Sequence, residues 1–138
     1  MKKLRFWLVL VLALALALGA PLTSFAATWD ASTSEDVAKA FDEDTDADVI
    51  INMQNDIDMD SSLRANEGQT YTINGNGNTI SDVYLSGEGT VKINADVTGE
   101  DNFAALYVSG SVNVTVNGDV TGQNGDPDDV DYDNGWDY

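Results

Sequence analysis

Residues 83–99 read VYLSGEGTVKINADVTG, and residues 106–122 read LYVSGSVNVTVNGDVTG. Aligned without a gap at an offset of 23, the two stretches agree at Tyr84/Tyr107, Ser86/Ser109, Gly87/Gly110, Val91/Val114, Asn94/Asn117, Asp96/Asp119, Val97/Val120, Thr98/Thr121 and Gly99/Gly122. Val83/Leu106, Leu85/Val108 and Ile93/Val116 exchange one aliphatic side chain for another. An internal repeat of this length decides an architecture before any single element is assigned.

Upstream the same signature persists as an aliphatic-Asn pair: Ile51-Asn52, Ile73-Asn74, Ile93-Asn94 and Val116-Asn117, at steps of 22, 20 and 23 residues. Around each pair the apolar residues alternate, as in Val49, Ile51, Met53 and in Val112, Val114, Val116. That is the period of a strand, and the β-branched content agrees with it. Gly and Asn gather between these runs, in Asn74 to Asn78, Ser86 to Gly89 and Thr121 to Gly125. Such residues tolerate positive φ and mark turns. Short strands at a constant repeat predict an all-β chain, a parallel β-solenoid of about four coils stacked roughly 4.8 Å apart. In that stack the four Asn form a side-chain ladder, or else serve their turns singly. An antiparallel sandwich or meander is the rival arrangement for short strands with Gly-rich turns.

From about residue 30 to residue 122 the chain resembles the N-terminal part of right-handed parallel β-helices of the pectate-lyase-like type, found in bacterial surface and adhesin-like proteins. The resemblance lies in the repeats and in the segment Tyr71 to Ile80, YTINGNGNTI. It implies a short helix closing the first coil. Ser32 to Phe41 supplies one, with Ser32 and Glu35 at capping-box spacing and Val37 and Phe41 on one face beside Trp29. Lyases of this fold hold calcium on clustered carboxylates and use a basic residue to take a proton, and its hydrolases use sets of aspartates. Beyond residue 26 this chain has no His, and Arg64, Lys39 and Lys92 are its only candidate bases. None lies in a recognisable catalytic motif, so the expectation is a non-enzymatic protein. One fold hosts many functions.

Residues 1–26 have the zones of a cleavable export signal: Lys2, Lys3 and Arg5, an apolar run from Phe6 to Ala20, and Ser24-Phe25-Ala26 before a cut at Ala27. The apolar run is about 15 residues, short of the roughly 20 a spanning helix needs; an uncleaved anchor is the other reading. The chain has no cysteine, which excludes disulfide staples and a lipid-anchored cysteine. All 24 acidic residues lie beyond residue 26, against three basic ones, a net charge of −21 for the exported part. That field repels nucleic acid and anionic membranes and attracts cations and basic surfaces. It also keeps a β-rich protein soluble.

The chain therefore divides into a signal (1–26), an N-terminal cap with a short helix (27–48), the solenoid coils (49–122) and an acidic tail or incomplete coil (123–138). In the tail, Asp129, Asp131 and Asp133 precede Asn134 and Gly135 as a candidate calcium-binding loop, departing from the EF-hand pattern in its late Gly and missing Glu; the alternative is a solvated acidic tail. Asp56, Asp58 and Asp60 alternate with Ile57 and Met59 and are expected to face water, discouraging edge pairing. No evident C-terminal cap follows Gly122. Trp136 and Tyr138 fold back, a partner covers the end, the chain self-associates there, or a longer repeat protein continues. The expected function is a secreted, surface-associated or adhesin-like structural module that displays polar rows to glycans or to host or cell-surface proteins. Asp96 with Asp119 and Thr98 with Thr121 are candidate display positions, or turn builders. The alternatives are a calcium-dependent polysaccharide-active enzyme and a glycan-binding module using Tyr84 and Tyr107.

Overall fold

The computed structural model describes residues 26–99 and 104–122; the export-signal reading and the Asp129, Asp131, Asp133 loop fall outside them, apart from Ala26. Strand accounts for 55% of the described residues and helix for 11%. The elements are β1 (Ala27–Ala31), α1 (Ser34–Glu43), β2 (Asp48–Met53), β3 (Ile57–Asp58), β4 (Leu63–Ala65), β5 (Thr70–Ser81), β6 (Val83–Gly87), β7 (Thr90–Thr98), β8 (Leu106–Val108), β9 (Asn113–Val116) and β10 (Val120–Thr121).

Every strand pair among the described residues is parallel, so the antiparallel sandwich or meander is excluded. A larger sheet runs β1-β2-β5-β7-β10, with β3 also on β5 and β9 also on β7. A smaller one runs β4-β6-β8. The register follows the sequence repeat: Trp29 opposes Ile51, Ile51 opposes Ile73, Ile73 opposes Ile93, and Ile93 opposes Val116. Strand alternation then sends one set of residues inward from every layer. Val49, Ile51, Tyr71, Ile73, Val91 and Ile93 meet Leu63, Val83 and Leu85 in one buried core. Each such side chain contributes roughly 1.5–3 kcal/mol by leaving water.

Burial fades toward the last described layer. Val112, Val114 and Val116 are half-buried, while Val108 and Val120 are exposed. At the other end, α1 packs on β1, β2 and β4 and buries Val37, Ala40 and Phe41. The Phe41 and Tyr71 rings stack at 4.0 Å between centroids, 4° from parallel. The buried phenol stays satisfied, donating to Gln69 Oε1 at 2.6 Å and accepting from Asn66 Nδ2 at 3.1 Å. Trp29 Nε1 donates to Asp44 Oδ2 at 2.7 Å, which ties β1 to the residue ending the helix.

Two local expectations are corrected, and the cap segment contains a strand. Helix α1 is capped by Thr33, not Ser32, and its box partner is Asp36, whose carboxylate accepts from the Ser32 and Thr33 N–H groups. Glu35 instead faces Lys39, one turn on, at 2.7 Å. Residues 27–31, read with the cap, are a strand of the main sheet. Asn74 to Asn78 is no link between strands. It bulges within β5, whose register to β7 jumps from Asn74↔Asn94 to Thr79↔Asp96. Asn76 and Gly77 take φ of 55° and 90°, so the extra residues loop outward and the strand resumes.

Candidate functional site

The Asn side chains of successive layers bond to one another. Asn74 Nδ2 donates to Asn52 Oδ1 at 3.1 Å, Asn94 Nδ2 to Asn74 Oδ1 at 2.8 Å, and Asn117 Nδ2 to Asn94 Oδ1 at 2.9 Å. Every donor points back toward the preceding layer, so the row has a direction. Amides used this way hold the layers together and have fewer groups left for a ligand.

A second column does the same with carboxylates. Asp56 Oδ1 accepts the Thr79 N–H at 2.8 Å, and Asp96 Oδ1 accepts the Asp119 N–H at 2.9 Å. Asp58 Oδ1 accepts from the Ser81 hydroxyl at 3.0 Å, and the Ser34 hydroxyl donates to Asp60. Asp56, Asp58 and Asp60 are exposed as expected, yet they accept hydrogen bonds from residues 23 to 26 positions away, and β3 pairs on one side with β5. Asp96 is thus a linking residue in the first place. Thr98 and Thr121 are register partners on adjacent strands.

The three candidate bases are scattered. Lys39 lies on α1 against Glu35, Lys92 on the outer face of β7 between Thr72 and Thr115, and Arg64 on β4 opposite Ser86. Arg64 borders a hollow of about 170 Å³ with Asn66, Glu67 and Glu88. No group of three or more His, Cys, Asp or Glu among the described residues is placed to hold a metal ion.

A second hollow lies on the smaller sheet. Tyr84 and Tyr107 are register partners that alternate with inward Val83 and Leu85, so both rings stand outside. They stack at 4.7 Å between centroids, 15° from parallel, and remain 40% and 52% exposed. Stacking of this kind adds about 0.5–1.5 kcal/mol beyond burial. Beside them is an open hollow of about 430 Å³ lined by Asp82, Val83, Tyr84, Ala104 and Tyr107. Its corner is set by Asp82, which takes φ of 53° between β5 and β6. Asp is among the few side chains that adopt this conformation readily. The Asp82 N–H donates to Thr98 O and the Val83 N–H to Ala105 O, both at 3.0 Å, which fixes the corner to the next layer.

No protein-family model, curated protein or solved structure matches this chain. The hollow brings two phenol rings and aliphatic walls to one carboxylate, an arrangement for holding a group with an apolar body. Tyr84 and Tyr107 were legible as a repeated pair; Asp82 and Ala104 carried no signal, because their role depends on how the chain turns the corner.

Proposed function

We propose that the chain is an exported, non-enzymatic β-solenoid module of the adhesin-like kind, in which about four right-handed coils act as a rigid support for rows of outward side chains. The observation that carries this reading is the Asn52-Asn74-Asn94-Asn117 ladder. Identical amides bonded in sequence along adjacent parallel strands are the pattern that a stack of equivalent coils produces, which supports the reading. The separate parallel sheets, followed in turn by each repeat, support it as well. A wall of repeated layers presents the same outward position many times, and weak contacts made many times add up to useful avidity.

Export is supported by residues 1–26, and the excess of 24 acidic residues over six basic ones favours partners that are neutral or cationic. The test is expression of the full chain in a bacterial host. The reading expects a product beginning at Ala27 outside the cytoplasm, with no cleavage of acidic polysaccharides such as polygalacturonate. Retention inside the cell contradicts export, and calcium-dependent cleavage lost in Arg64→Ala contradicts the non-enzymatic assignment. Melting with and without calcium addresses the Asp129, Asp131, Asp133 loop, since a ligand that binds only the folded state raises the midpoint.

A further inference from the structure

We infer that the hollow beside Tyr84 and Tyr107 receives a lysine or arginine side chain from a partner protein. The inference deepens the display reading and rests on it, since it names the class of partner and the place where it docks.

Two features of the hollow and one of the chain lead to this assignment. The described lining is mainly apolar, with Val83, Ala104 and the bodies of two tyrosines as its walls. Such walls suit the methylene stem of a long basic side chain, which lies along apolar surface while its charged head stays near water. The two rings supply the second feature. Tyr107 is the last ring of the stack among the described residues and is more than half exposed, leaving π-surface to meet a cation. Asp82 adds a carboxylate to the same lining.

The third feature is charge. The chain carries a net charge of −18, and none of its basic residues is among the described lining. A field of that sign concentrates cationic ligands at the surface and speeds their arrival. A neutral sugar could use the same ring, but it gains nothing from the field; an anionic one is repelled. A basic side chain gains from the field, the ring and the apolar wall together.

The probe is a hexalysine peptide, added to the full chain as recovered from expressing cells and followed by NMR at Val83, Tyr84, Ala104 and Tyr107. Its acetylated form, with the same stems and no charge, is the control, and cellotetraose is the neutral sugar. The expected result is a set of shifts centred on those four residues, absent with the acetylated peptide. Binding should weaken about tenfold in the double variant Tyr84→Leu/Tyr107→Leu and stay within about threefold of the parent in Tyr84→Phe/Tyr107→Phe. The phenylalanine variant keeps the π faces and the leucine variant keeps only apolar bulk, and circular dichroism of each confirms the fold.

Shifts spread evenly over the acidic surface, with the leucine variant binding like the parent, overturn the inference and indicate attraction by the general field alone. Equal binding of the acetylated peptide overturns it too, as does a response at these residues to cellotetraose but not to hexalysine. Failure here leaves the export and display assay untouched. A chain retained in the cytoplasm yet binding hexalysine at the tyrosines would sink the display reading and leave the hollow's chemistry standing.

Discussion

Asn94 donates its side-chain amide to Asn74 Oδ1 at 2.8 Å, across twenty residues of chain. The same residue accepts from Asn117 at 2.9 Å, so one side chain joins three layers. The contact is outside the core, on the exposed side of β7. It therefore adds layer-to-layer specificity to burial, since a strand slipped by one residue would lose the amide pair and turn its aliphatic residues outward.

Replacing Asn94 by Ala removes both ladder bonds and should lower stability by about 1–2 kcal/mol, at roughly 1 kcal/mol for each net bond. Asn94→Asp should cost more than Asn94→Gln, because an ionised carboxylate cannot donate to Asn74. Urea denaturation of the three variants checks the order; equal midpoints would show that the ladder contributes nothing.

Gly118 lies flat against the preceding layer. A Cβ there would stand 2.2 Å from Ala95 O and 2.5 Å from Ala95 C, both backbone atoms with little room to move. Gly118→Ala should destabilise by about 1–3 kcal/mol, the usual cost of overpacking. At Gly122 an added Cβ meets nothing within 4 Å, so Gly122→Ala should melt within a degree or two of the parent. Thermal melts of the two variants test the contrast.

Tyr71 combines a buried ring with a bonded hydroxyl. Tyr71→Phe keeps the stack on Phe41 and removes the hydroxyl's bonds to Gln69 and Asn66, which still bond each other at 2.9 Å, a loss of about 0.5–1.5 kcal/mol. Tyr71→Ala also empties the space under α1 and should cost about 3–5 kcal/mol. If the two variants lose equal stability, the ring stack is not what anchors the helix.

Acid should loosen the N-terminal cap. The Ser32 N–H, helped by Thr33, holds the Asp36 carboxyl below its ordinary 3.8, so the folded state takes up its proton later than the unfolded one. Its contribution is complete above 3.8 and is lost as pH falls through the lower folded value. Melting of Asp36→Asn should therefore change less than that of the parent between pH 5 and about pH 2. Parallel curves for the two proteins would contradict this.

Much of the architecture was legible because the repeat specifies position and alternation at once. Ile51, Ile73, Ile93 and Val116 were in phase in the sequence and are in register in space. Where residue chemistry is degenerate, backbone geometry decides between equivalent side chains. Ser32, Thr33 and Ser34 can each cap a helix, and Glu35 and Asp36 can each complete the box, so only backbone geometry selects Thr33 with Asp36. Gly and Asn at 74–78 mark positive φ but not whether the chain leaves the strand or bulges from it. The alternating acids at Asp56 and Asp58 looked like solvent-facing charge, whereas the next layer supplies donors at Thr79 and Ser81. The tyrosine pair was visible; the hollow beside it depends on the Asp82 corner and on Ala104, distant in sequence.

Each repeat pairs in parallel with the one before it, and the absence of native cysteine makes that pairing directly measurable. Lys92 and Thr115 oppose each other on the outer faces of β7 and β9, where adjacent strands run about 4.8 Å apart, within disulfide reach. Oxidised Lys92→Cys/Thr115→Cys should close an intramolecular disulfide quickly and without loss of melting temperature, while Lys92→Cys/Asn117→Cys, two residues out of register, should close slowly or not at all. A faster bridge from the second pair, or none from the first in a folded chain, would contradict the stacking.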